Sequence, residues 1–470
     1  MQLIKTRKGR ISATLCLVTA NLFSTTGLPQ AQQIIGGTNN PQARDQSDMK
    51  NVYNQPVNEL GTITLDSAIL FYKENGGRVQ AIEPMASFTY HTENDDIYSV
   101  KLTYDSLTGA SPYGAAPWKA AQTFVSPTII EGSETMTGAS GGTIVTDALT
   151  GVTSVEKTVD AYTLPLDSGF RDNRTAIDFG FTTPLASGTK LSVGLNGSHE
   201  SDYNSFAGRV SLAQDFNNKT TTVSVGVNYE HDVSKPLYGT PLPLSRMSGV
   251  MKGASRNKNV LSLIAGVTQV MTPDWVLQFN YSYGSAKGYQ TDPYKIISRV
   301  NYLTGAPLEY LYESRPEKRT RHAVYVGSKL ALGSYVTDLS ARYYHDSWGI
   351  SSFTAEASEH IPIGDRAYIE PGVRYYHQSA ANFFAYYLPS DLILPQFISA
   401  DSRLDSFNAI TLSLSGGYSL SDDIELYAMV DGYRQTKAGQ KGLLPGQDGR
   451  LKLFAGIDAI SVMTGVKLKF

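Results

Sequence analysis

The chain has 470 residues, and its 40 Lys and Arg against 43 Asp and Glu give a formal net charge of −3, which argues against a nucleic-acid partner. Its one cysteine, Cys16, lies in an N-terminal apolar stretch, so the rest of the chain has no disulfide, thiol nucleophile or thiolate metal site. Past residue 31 no run approaches the roughly 18 apolar residues of a transmembrane helix.

The N-terminus has the pattern of a secretory signal. Four bases (Lys5, Arg7, Lys8 and Arg10) precede the apolar stretch 11–23, and Ala31 offers a small-residue cleavage point. We therefore predict a signal peptide over 1–31, whose removal changes the formal net charge from −3 to −7 because it carries four bases and no acid. Residues 32–61 are polar and lack periodicity, which predicts a flexible periplasmic segment.

From Thr62 onward, apolar and polar residues alternate with a period of two in about sixteen segments, which predicts β-strands. The predicted segments are 62–73, 79–91, 97–107, 173–183, 188–200, 204–215, 220–231, 257–271, 274–287, 319–332, 335–348, 350–363, 366–379, 405–420, 423–436 and 456–470. The last segment ends on an aromatic residue, Phe470. A closing strand of this kind resembles the signal by which Gram-negative assembly machinery accepts outer-membrane barrels.

The links between the predicted strands sort by parity. The even-numbered links are short and turn-like, whereas the odd-numbered links include every long one: 108–172, 232–256, 288–318, 380–404 and 437–455. Bacterial outer-membrane barrels have short periplasmic turns and long extracellular loops. We therefore predict an all-β fold, a transmembrane antiparallel up-and-down β-barrel of about 16 strands over 62–470, in the outer membrane of a Gram-negative bacterium.

Link 108–172 is the longest and is expected to lie outside the cell or to fold into the lumen. Its stretch from Gly132 to Thr158 is rich in Thr, Gly and Ser, so we expect it to bury little and to be mobile. The expected partners of the barrel are outer-membrane lipid, lipopolysaccharide and, during biogenesis, the barrel assembly machinery.

Charged residues fall on the strand faces opposite the apolar ones and are predicted to line the lumen, because ionisable groups cannot face hydrocarbon cheaply. They are Glu83, Lys101, Asp105, Arg174, Asp178, Arg209, Lys329, Asp338, Arg342, Glu356, Glu370, Arg374, Glu425 and Asp431. One interpretation is a water-filled passage with a charge-selective constriction. The other is that these charges pair across the lumen and close it.

Two further clusters lie near the predicted outer rim. Ser106, His345 and His377 are residue types of a hydrolase site, but they are distant in sequence, and hydrogen bonding and loop anchoring at the rim are the favoured explanation. A basic run, Arg315 to Arg321, could meet lipopolysaccharide phosphates or be solvated. No catalytic, cofactor-binding or metal-binding motif is predicted: the chain has no P-loop, no H-E-x-x-H and no calcium-loop spacing.

Five longer stretches look familiar together: 102–112, 288–295, 313–316, 343–350 and 369–381. In these the chain resembles a family of bacterial outer-membrane β-barrel proteins catalogued as a domain of unknown function. The resemblance covers most of the chain after Thr62 and implies the barrel and its compartment. It brings no established activity, ligand or catalytic residue.

Three hypotheses about function follow. The first is a channel or transport component for small polar solutes, without enzymatic activity and without a cofactor. The second is an outer-membrane hydrolase with a rim site. The third is a structural or scaffolding barrel that holds a periplasmic or surface protein partner through residues 32–60 or through the long loops.

Overall fold

The computed structural model describes residues 60–127, 143–146, 153–236, 239–248, 253–438, 444–446 and 451–470. The predicted signal peptide, all but the last two residues of segment 32–61, and residues 128–142 and 147–152 lie outside this part of the chain. The described residues form twenty-two strands and one 3₁₀ turn, Ser402–Leu404. Among them, no helix is long and apolar enough to cross a membrane.

The strands, in chain order, are β1 (Thr62–Glu74), β2 (Gln80–His91), β3 (Ile97–Pro112), β4 (Gln122–Pro127), β5 (Thr143–Thr146), β6 (Thr153–Val159), β7 (Leu166–Ala186), β8 (Thr189–His199), β9 (Tyr203–Phe216), β10 (Thr221–Ser234), β11 (Arg256–Thr272), β12 (Trp275–Gly288), β13 (Ile296–Val300), β14 (Pro307–Tyr312), β15 (Lys318–Leu332), β16 (Tyr335–Asp346), β17 (Ser351–Ile363), β18 (Ala367–Gln378), β19 (Leu388–Pro389), β20 (Phe407–Ser419), β21 (Ile424–Lys437) and β22 (Asp458–Lys469). All except β4–β6, β13, β14 and β19 form one closed antiparallel barrel. The barrel has sixteen strands, so the predicted fold class is confirmed.

The ring closes between its first and last strands. Leu65 lies opposite Leu468 in the antiparallel pair of β1 with β22. The pairing continues to the last residue, where the Phe470 amide donates to the Ile63 carbonyl at 2.8 Å and Phe470 accepts from Ile63 at 3.0 Å. Closure leaves no unpaired edge in the barrel, which would otherwise be a template for association with other chains.

The alternation that predicted the strands separates two faces of the barrel wall. On β12, Phe279 and Tyr281 are exposed on the outer face, whereas Gln278 and Asn280 are buried on the inner face. Each of the sixteen barrel strands exposes at least one large apolar side chain in this way. The polar inner face and the apolar outer face are the reverse of the arrangement in a water-soluble protein.

The links also follow the predicted parity. At one end of the barrel every pair of strands is joined by a short turn, as at Asn217 and Asn218, which adopt the positive φ that asparagine tolerates. At the other end lie eight links, which we label L1 (75–79), L2 (113–165), L3 (200–202), L4 (235–255), L5 (289–317), L6 (347–350), L7 (379–406) and L8 (438–457). All five predicted long links lie at this end.

Link L2 contains strands that the alternation did not predict, and most of the stretch from Gly132 to Thr158, which was expected to be mobile, lies outside the described residues. Strands β3 and β7 extend past the predicted positions, and β4, β6 and β5 form a three-stranded sheet within the link. The segments TIVT (143–146) and TSVEKTV (153–159) are rich in β-branched residues, which favour a pleated strand over an irregular loop. Phe124 of β4 is 1% exposed.

A second small sheet, in the order β14, β13, β19, joins L5 to L7. The described residues of L2, L4, L5, L7 and L8 pack into shared apolar clusters, and we call this assembly the cap. One cluster combines Tyr113 of L2, Met247 of L4 and Ile296 of L5. Another combines Trp118 of L2, Val300 of L5 and leucines of L8. Most of the buried apolar clusters in the described residues therefore lie in the cap.

Candidate functional site

The fourteen charged residues predicted for the lumen all lie on the strand faces opposite the exposed apolar side chains. Their ion pairs run along the barrel wall. Asp105 and Arg174, on the neighbouring strands β3 and β7, pair at 3.0 Å. Asp178 and Arg209 form a two-pronged pair at 2.6 and 2.7 Å across the intervening strand β8.

Gly194 of β8 makes room for this two-pronged pair. A Cβ atom at Gly194 would lie 2.5 Å from the Cζ atom of Arg209, so any larger side chain would displace the guanidinium. The absence of a side chain at this position therefore lets the arginine lie flat against the wall and reach Asp178.

The other predicted lumen residues also have contacts along the barrel wall. Lys329 pairs with Asp338 at 3.3 Å and Arg374 with Glu356 at 2.8 Å, in each case between adjacent strands. The remaining contacts are Glu370 with His360 at 3.8 Å, Glu425 accepting from Tyr368 at 3.1 Å, Asp431 accepting from Ser461 at 3.2 Å, Arg342 over the Tyr344 ring at 5.9 Å, Lys101 in register with Asp178, and Glu83 buried on β2. These contacts lie within one strand or join strands that are adjacent or separated by one strand, and so do not themselves bridge the lumen.

Link L5 crosses the mouth of the barrel. L2 follows the third strand of the ring and L5 follows the ninth, so six strands separate the points where they leave the wall. Even so, the Ile296 amide of L5 donates to the Tyr113 carbonyl of L2 at 2.9 Å. The Lys295 ammonium also donates to the Pro112 carbonyl at 2.6 Å. Contacts between links rooted so far apart require at least one of them to span the opening.

L5 also holds three further links. Tyr294 donates to Asp202 of L3. The Met247 amide of L4 donates to the Tyr310 carbonyl at 2.9 Å, and Ser314 pairs with Ile398 of L7 through two backbone hydrogen bonds of 2.9 Å. With L2 and the apolar contact to L8, L5 touches five of the other seven links, and we call it the hub link.

A buried charge cluster holds the hub link to L7. Its members are Asp292, Lys295, Glu313, Arg315, Asp401 and Arg403, three acids and three bases, which we call the hub cluster. Arg315 pairs with Glu313 at 2.5 Å and with Asp401 at 2.7 Å. Arg403 pairs with Asp292 at 2.6 Å and with Asp401. Equal numbers of both signs allow the charges to be buried together.

The carboxyl groups of the hub cluster titrate differently. Burial raises the pKa of Glu313 to about 7, although the adjacent Arg315 guanidinium opposes this shift. Burial also disfavours the charged form of Asp401, but the guanidinium groups of Arg403 and Arg315 outweigh it and hold the pKa of Asp401 well below its usual range. Glu313 is therefore the acid of this pair that changes charge near neutral pH.

The predicted rim residues are not assembled into one site. His345 contacts Ser351 at 2.9 Å on the neighbouring strand, and His377 contacts Asn408 at 2.8 Å. Ser106 lies on β3, which is eight ring positions from the β16 strand that carries His345. The geometry is that of cross-strand hydrogen bonding at the end of the strands, and it does not place a serine, a histidine and an acid in one array.

The basic run is largely turned inward. Arg315 belongs to the hub cluster, and Arg319 pairs with Asp346 at 2.5 Å on the inner face of the barrel. Arg319 also stacks over the Trp348 ring at 4.2 Å. The guanidinium groups of Arg315 and Arg319 are therefore engaged inside the molecule, and contact of the basic run with lipopolysaccharide phosphates stays a prediction.

The hub cluster was not predicted, although the chain carries a pattern that indicates it. Two short triplets have the same order of acid, serine and arginine: Glu313-Ser314-Arg315 and Asp401-Ser402-Arg403. Each triplet places an acid and a base two positions apart, close enough for the two side chains to pair locally, as Arg403 does with Asp401. Their mutual contact depends on tertiary structure.

Comparison with known proteins places these features in a family. The profile of the family described as "Protein of unknown function (DUF3570)" matches residues 23–468. No curated protein matches the chain in sequence. Among solved structures, CdiB from Acinetobacter baumannii is similar with a TM-score of 0.43 and 8% identity, over 87% of this chain and 60% of that one.

Two other solved structures are similar to a comparable degree. A mutant of the ferric enterobactin receptor (PfeA) from Pseudomonas aeruginosa has a TM-score of 0.40 and 10% identity, over 87% of this chain and 60% of that chain. The CymD monoaromatic hydrocarbon channel has a TM-score of 0.36 and 9% identity, over 88% of this chain and 89% of that chain. The chain thus spans about 60% of the length of CdiB and of the receptor.

Proposed function

The chain belongs to the DUF3570 family of proteins of unknown function, and from its own structure we propose that it is an outer-membrane barrel that passes small polar solutes through a lumen closed by a movable cap. The observation that carries the proposal is the hub link crossing the mouth of a barrel whose inner wall is charged. The chain acts in this proposal without enzymatic activity of its own.

The outer face of the barrel supports a membrane location. Each of the sixteen barrel strands exposes at least one large apolar side chain, among them Leu412, 62% exposed, and Phe206, 59% exposed. A continuous apolar belt of this extent would drive association in water, whereas hydrocarbon accommodates it. The parity of the links supports the orientation, with the short turns in the periplasm and the cap outside the cell.

The inner face supports a passage. Barrels of sixteen to eighteen strands can leave an aqueous channel, whereas eight-stranded barrels are filled by their side chains. The pairs along the wall, such as Asp178 with Arg209, leave both signs of charge facing the interior without bridging it. Such a wall favours hydrated polar solutes of mixed charge over apolar ones.

The cap supports gating, because it covers the mouth through contacts that can be broken and remade. The hub cluster and the backbone pairing of Ser314 with Ile398 tie the hub link to L7. A shift of L5 away from L7 would open the mouth without disturbing the barrel strands. In this proposal the barrel strands form a rigid wall and the cap is the part that moves.

The proposal can be tested by opening and locking the cap. In one variant a short Gly/Ser segment replaces residues 296–312 of the hub link. In a second, Ser314→Cys is combined with Ile398→Cys; a directly paired antiparallel position has a Cα separation of about 5.5 Å, which suits a disulfide. The single variant Ser314→Cys is the matched control. Heat-modifiable migration on gels verifies that each variant has folded.

Conductance in planar bilayers and uptake by liposomes then give the result. We expect the hub-link replacement to conduct more than the native protein, and the oxidised disulfide to reduce conductance in a way that dithiothreitol reverses. A folded hub-link replacement that gave neither conductance nor uptake of small sugars or amino acids would sink the proposal. In that case the hydrolase and scaffolding hypotheses become the ones to pursue.

A further inference from the structure

Three carboxylates converge at the edge of the cap, away from the hub cluster. Asp172 lies on the extension of β7, and Glu200 and Asp202 flank Ser201 in L3. One oxygen from each of the three lies within 4.8 Å of the others. Oxygens bound to one Ca²⁺ at about 2.3–2.6 Å are separated by up to about 5 Å, so this spacing fits a shared cation.

Glu200 is the second observation that points to a ligand. Its side chain is 1% exposed, and neither carboxylate oxygen receives a hydrogen bond from a donor in the described part of the chain. A buried charged group without a donor or cation is strongly disfavoured. Its carboxylate is directed at the other two acids, since it contributes one of the three converging oxygens.

Few side-chain donors engage these three acids. Asp172 accepts from the Ser201 hydroxyl at 3.1 Å through one oxygen, and Asp202 accepts from Tyr294 through one oxygen. The nearby Arg174 is engaged with Asp105 at 3.0 Å. Asp172 and Asp202 are both partly exposed, which provides a path from solvent to the site.

We propose that Asp172, Glu200 and Asp202 bind a divalent cation of the calcium class. Hard carboxylate oxygens select Ca²⁺ or Mg²⁺ over zinc or copper, which prefer nitrogen and sulfur ligands. The irregular arrangement of the three carboxylates, with the Ser201 hydroxyl close by, suits the flexible coordination of Ca²⁺ better than the strict octahedron of Mg²⁺. The inference stands independently of transport.

The competing occupant is a proton. Without a cation, burial and the neighbouring charge of Asp172 raise the pKa of Glu200 to about 9, so the carboxyl could instead hold a proton and share it with Asp172. The two occupants predict different behaviour. A cation requires the anionic glutamate, whereas a shared proton is reproduced by glutamine.

The site would connect the barrel wall to the cap. Asp202 accepts the hydroxyl hydrogen of Tyr294, and Tyr294 belongs to the hub link. The same tyrosine offers a spectroscopic handle, because an excited tyrosine ring close to a bound Tb³⁺ transfers its energy to that ion. A cation held here would fix L3 and, through Tyr294, one end of the hub link.

The experiment uses the full barrel, refolded in detergent and freed of metal with a chelator. Tb³⁺ is added while tyrosine is excited, and CaCl₂ is then titrated to displace it. We expect saturable Tb³⁺ luminescence and displacement by Ca²⁺ with an apparent Kd of about 10⁻⁴–10⁻³ M, the range of extracellular calcium modules. Glu200→Gln should weaken Ca²⁺ binding by about tenfold or more, because affinity follows the number of charged ligands.

Glu230→Gln is the matched control. Glu230 is equally buried, but its neighbour Asp232 is paired with Lys258 at 2.7 Å, so it has a resident cationic partner nearby. We expect this variant to bind Ca²⁺ like the native protein. Native protein without Ca²⁺ binding, or Glu200→Gln and Glu230→Gln with equal affinities, would overturn the proposal in favour of the proton. Conductance plays no part in this outcome.

Discussion

Individual buried charged residues join separate segments of the cap. Arg403 reaches from Asp401, two positions away, to Asp292, 111 residues away in sequence. Desolvation cancels much of the gain from such buried pairs, but breaking one by removing a partner costs about 3–5 kcal/mol. The hub cluster therefore fixes which position of the hub link meets which position of L7, more than it stabilises the molecule.

Glu313 makes the cap sensitive to pH. A carboxyl whose pKa is raised on folding, here to about 7, contributes stability that is complete below its unfolded pKa and is lost as pH rises through the folded value. For Glu313→Gln we expect cap stability to be flatter between pH 4.5 and 7, where the native protein loses roughly 3 kcal/mol. The measurement is urea unfolding in detergent followed by tryptophan fluorescence, since Trp118 and Trp348 are buried at this end.

The variant and the native protein share Asp292, Asp401, Arg315 and the other charges around position 313, so the difference between their pH profiles isolates Glu313. Parallel profiles would contradict the expectation and would mean that Arg315 keeps the glutamate charged throughout. The absolute stability of the variant is not diagnostic, because the substitution also weakens the contact with Arg315.

The positions of some of these residues can be predicted from the sequence, whereas the contacts of others cannot. The face of each lumen charge follows from alternation alone, as for Asp178 and Arg209, because a period of two fixes the side of the wall. Their pairing also depends on the space left by the missing side chain of Gly194, which the alternation of the sequence does not predict. The approach of Asp172 to Glu200 and Asp202, like that of Asp292 to Arg403, depends on how separate segments meet.

At the scale of elements, the junction of L2 with the hub link is a close backbone contact within the cap. Gly114 adopts a φ of +97°, and a Cβ there would lie 2.3 Å from the Ile296 carbonyl oxygen. Gly114→Ala should therefore destabilise the cap by at least about 1–2 kcal/mol, the cost of a positive φ for alanine before any clash. The urea midpoint by tryptophan fluorescence should fall.

Gly432→Ala on β21 provides the comparison. Its backbone has no positive φ, and nothing lies within 4 Å of the added Cβ, so its urea midpoint should stay close to the native one. Equal midpoints for the two variants would show that L2 and the hub link can separate without cost, and that the contact between Gly114 and Ile296 does not hold the cap together.

The sixteen barrel strands could be predicted because two independent patterns agree, the period of two and the parity of the links. The cap strands could not. β13 (Ile296–Val300) and β14 (Pro307–Tyr312) are five and six residues long, too short for a period to be distinguished from chance. Ile296 and Ile297 are fully buried in clusters that include residues of L2, L4 and L7, so tertiary packing determines this element.

For the whole molecule, the apolar outer face of the barrel predicts how much a charged substitution there lowers the stability in a bilayer. Leu412, in the middle of β20, is 62% exposed on the outer face, and Leu242 of L4 is 72% exposed in the cap. In water, lysine at either position would be nearly neutral. In a bilayer, we expect Leu412→Lys to lower the free energy of unfolding by about 2–4 kcal/mol and Leu242→Lys to leave it unchanged.

Urea unfolding of the protein reconstituted in lipid vesicles measures both variants. If Leu412→Lys were as stable as the native protein in vesicles, the apolar belt would not face hydrocarbon, and the proposed membrane location would fail. Retention of the native fold by each variant can be read from heat-modifiable migration, independently of its stability.

The order of the cap segments in the sequence also predicts the order in which they can pack. The cluster around Trp118 and Val300 is completed by Leu444, Leu451 and Leu453 of L8, which lies between the last two strands. L2 and the hub link therefore emerge early but cannot finish packing until the C-terminal hairpin is in place. During biogenesis the nascent barrel should pass through a stage in which its mouth is uncovered, and the cap is the last part to complete its packing.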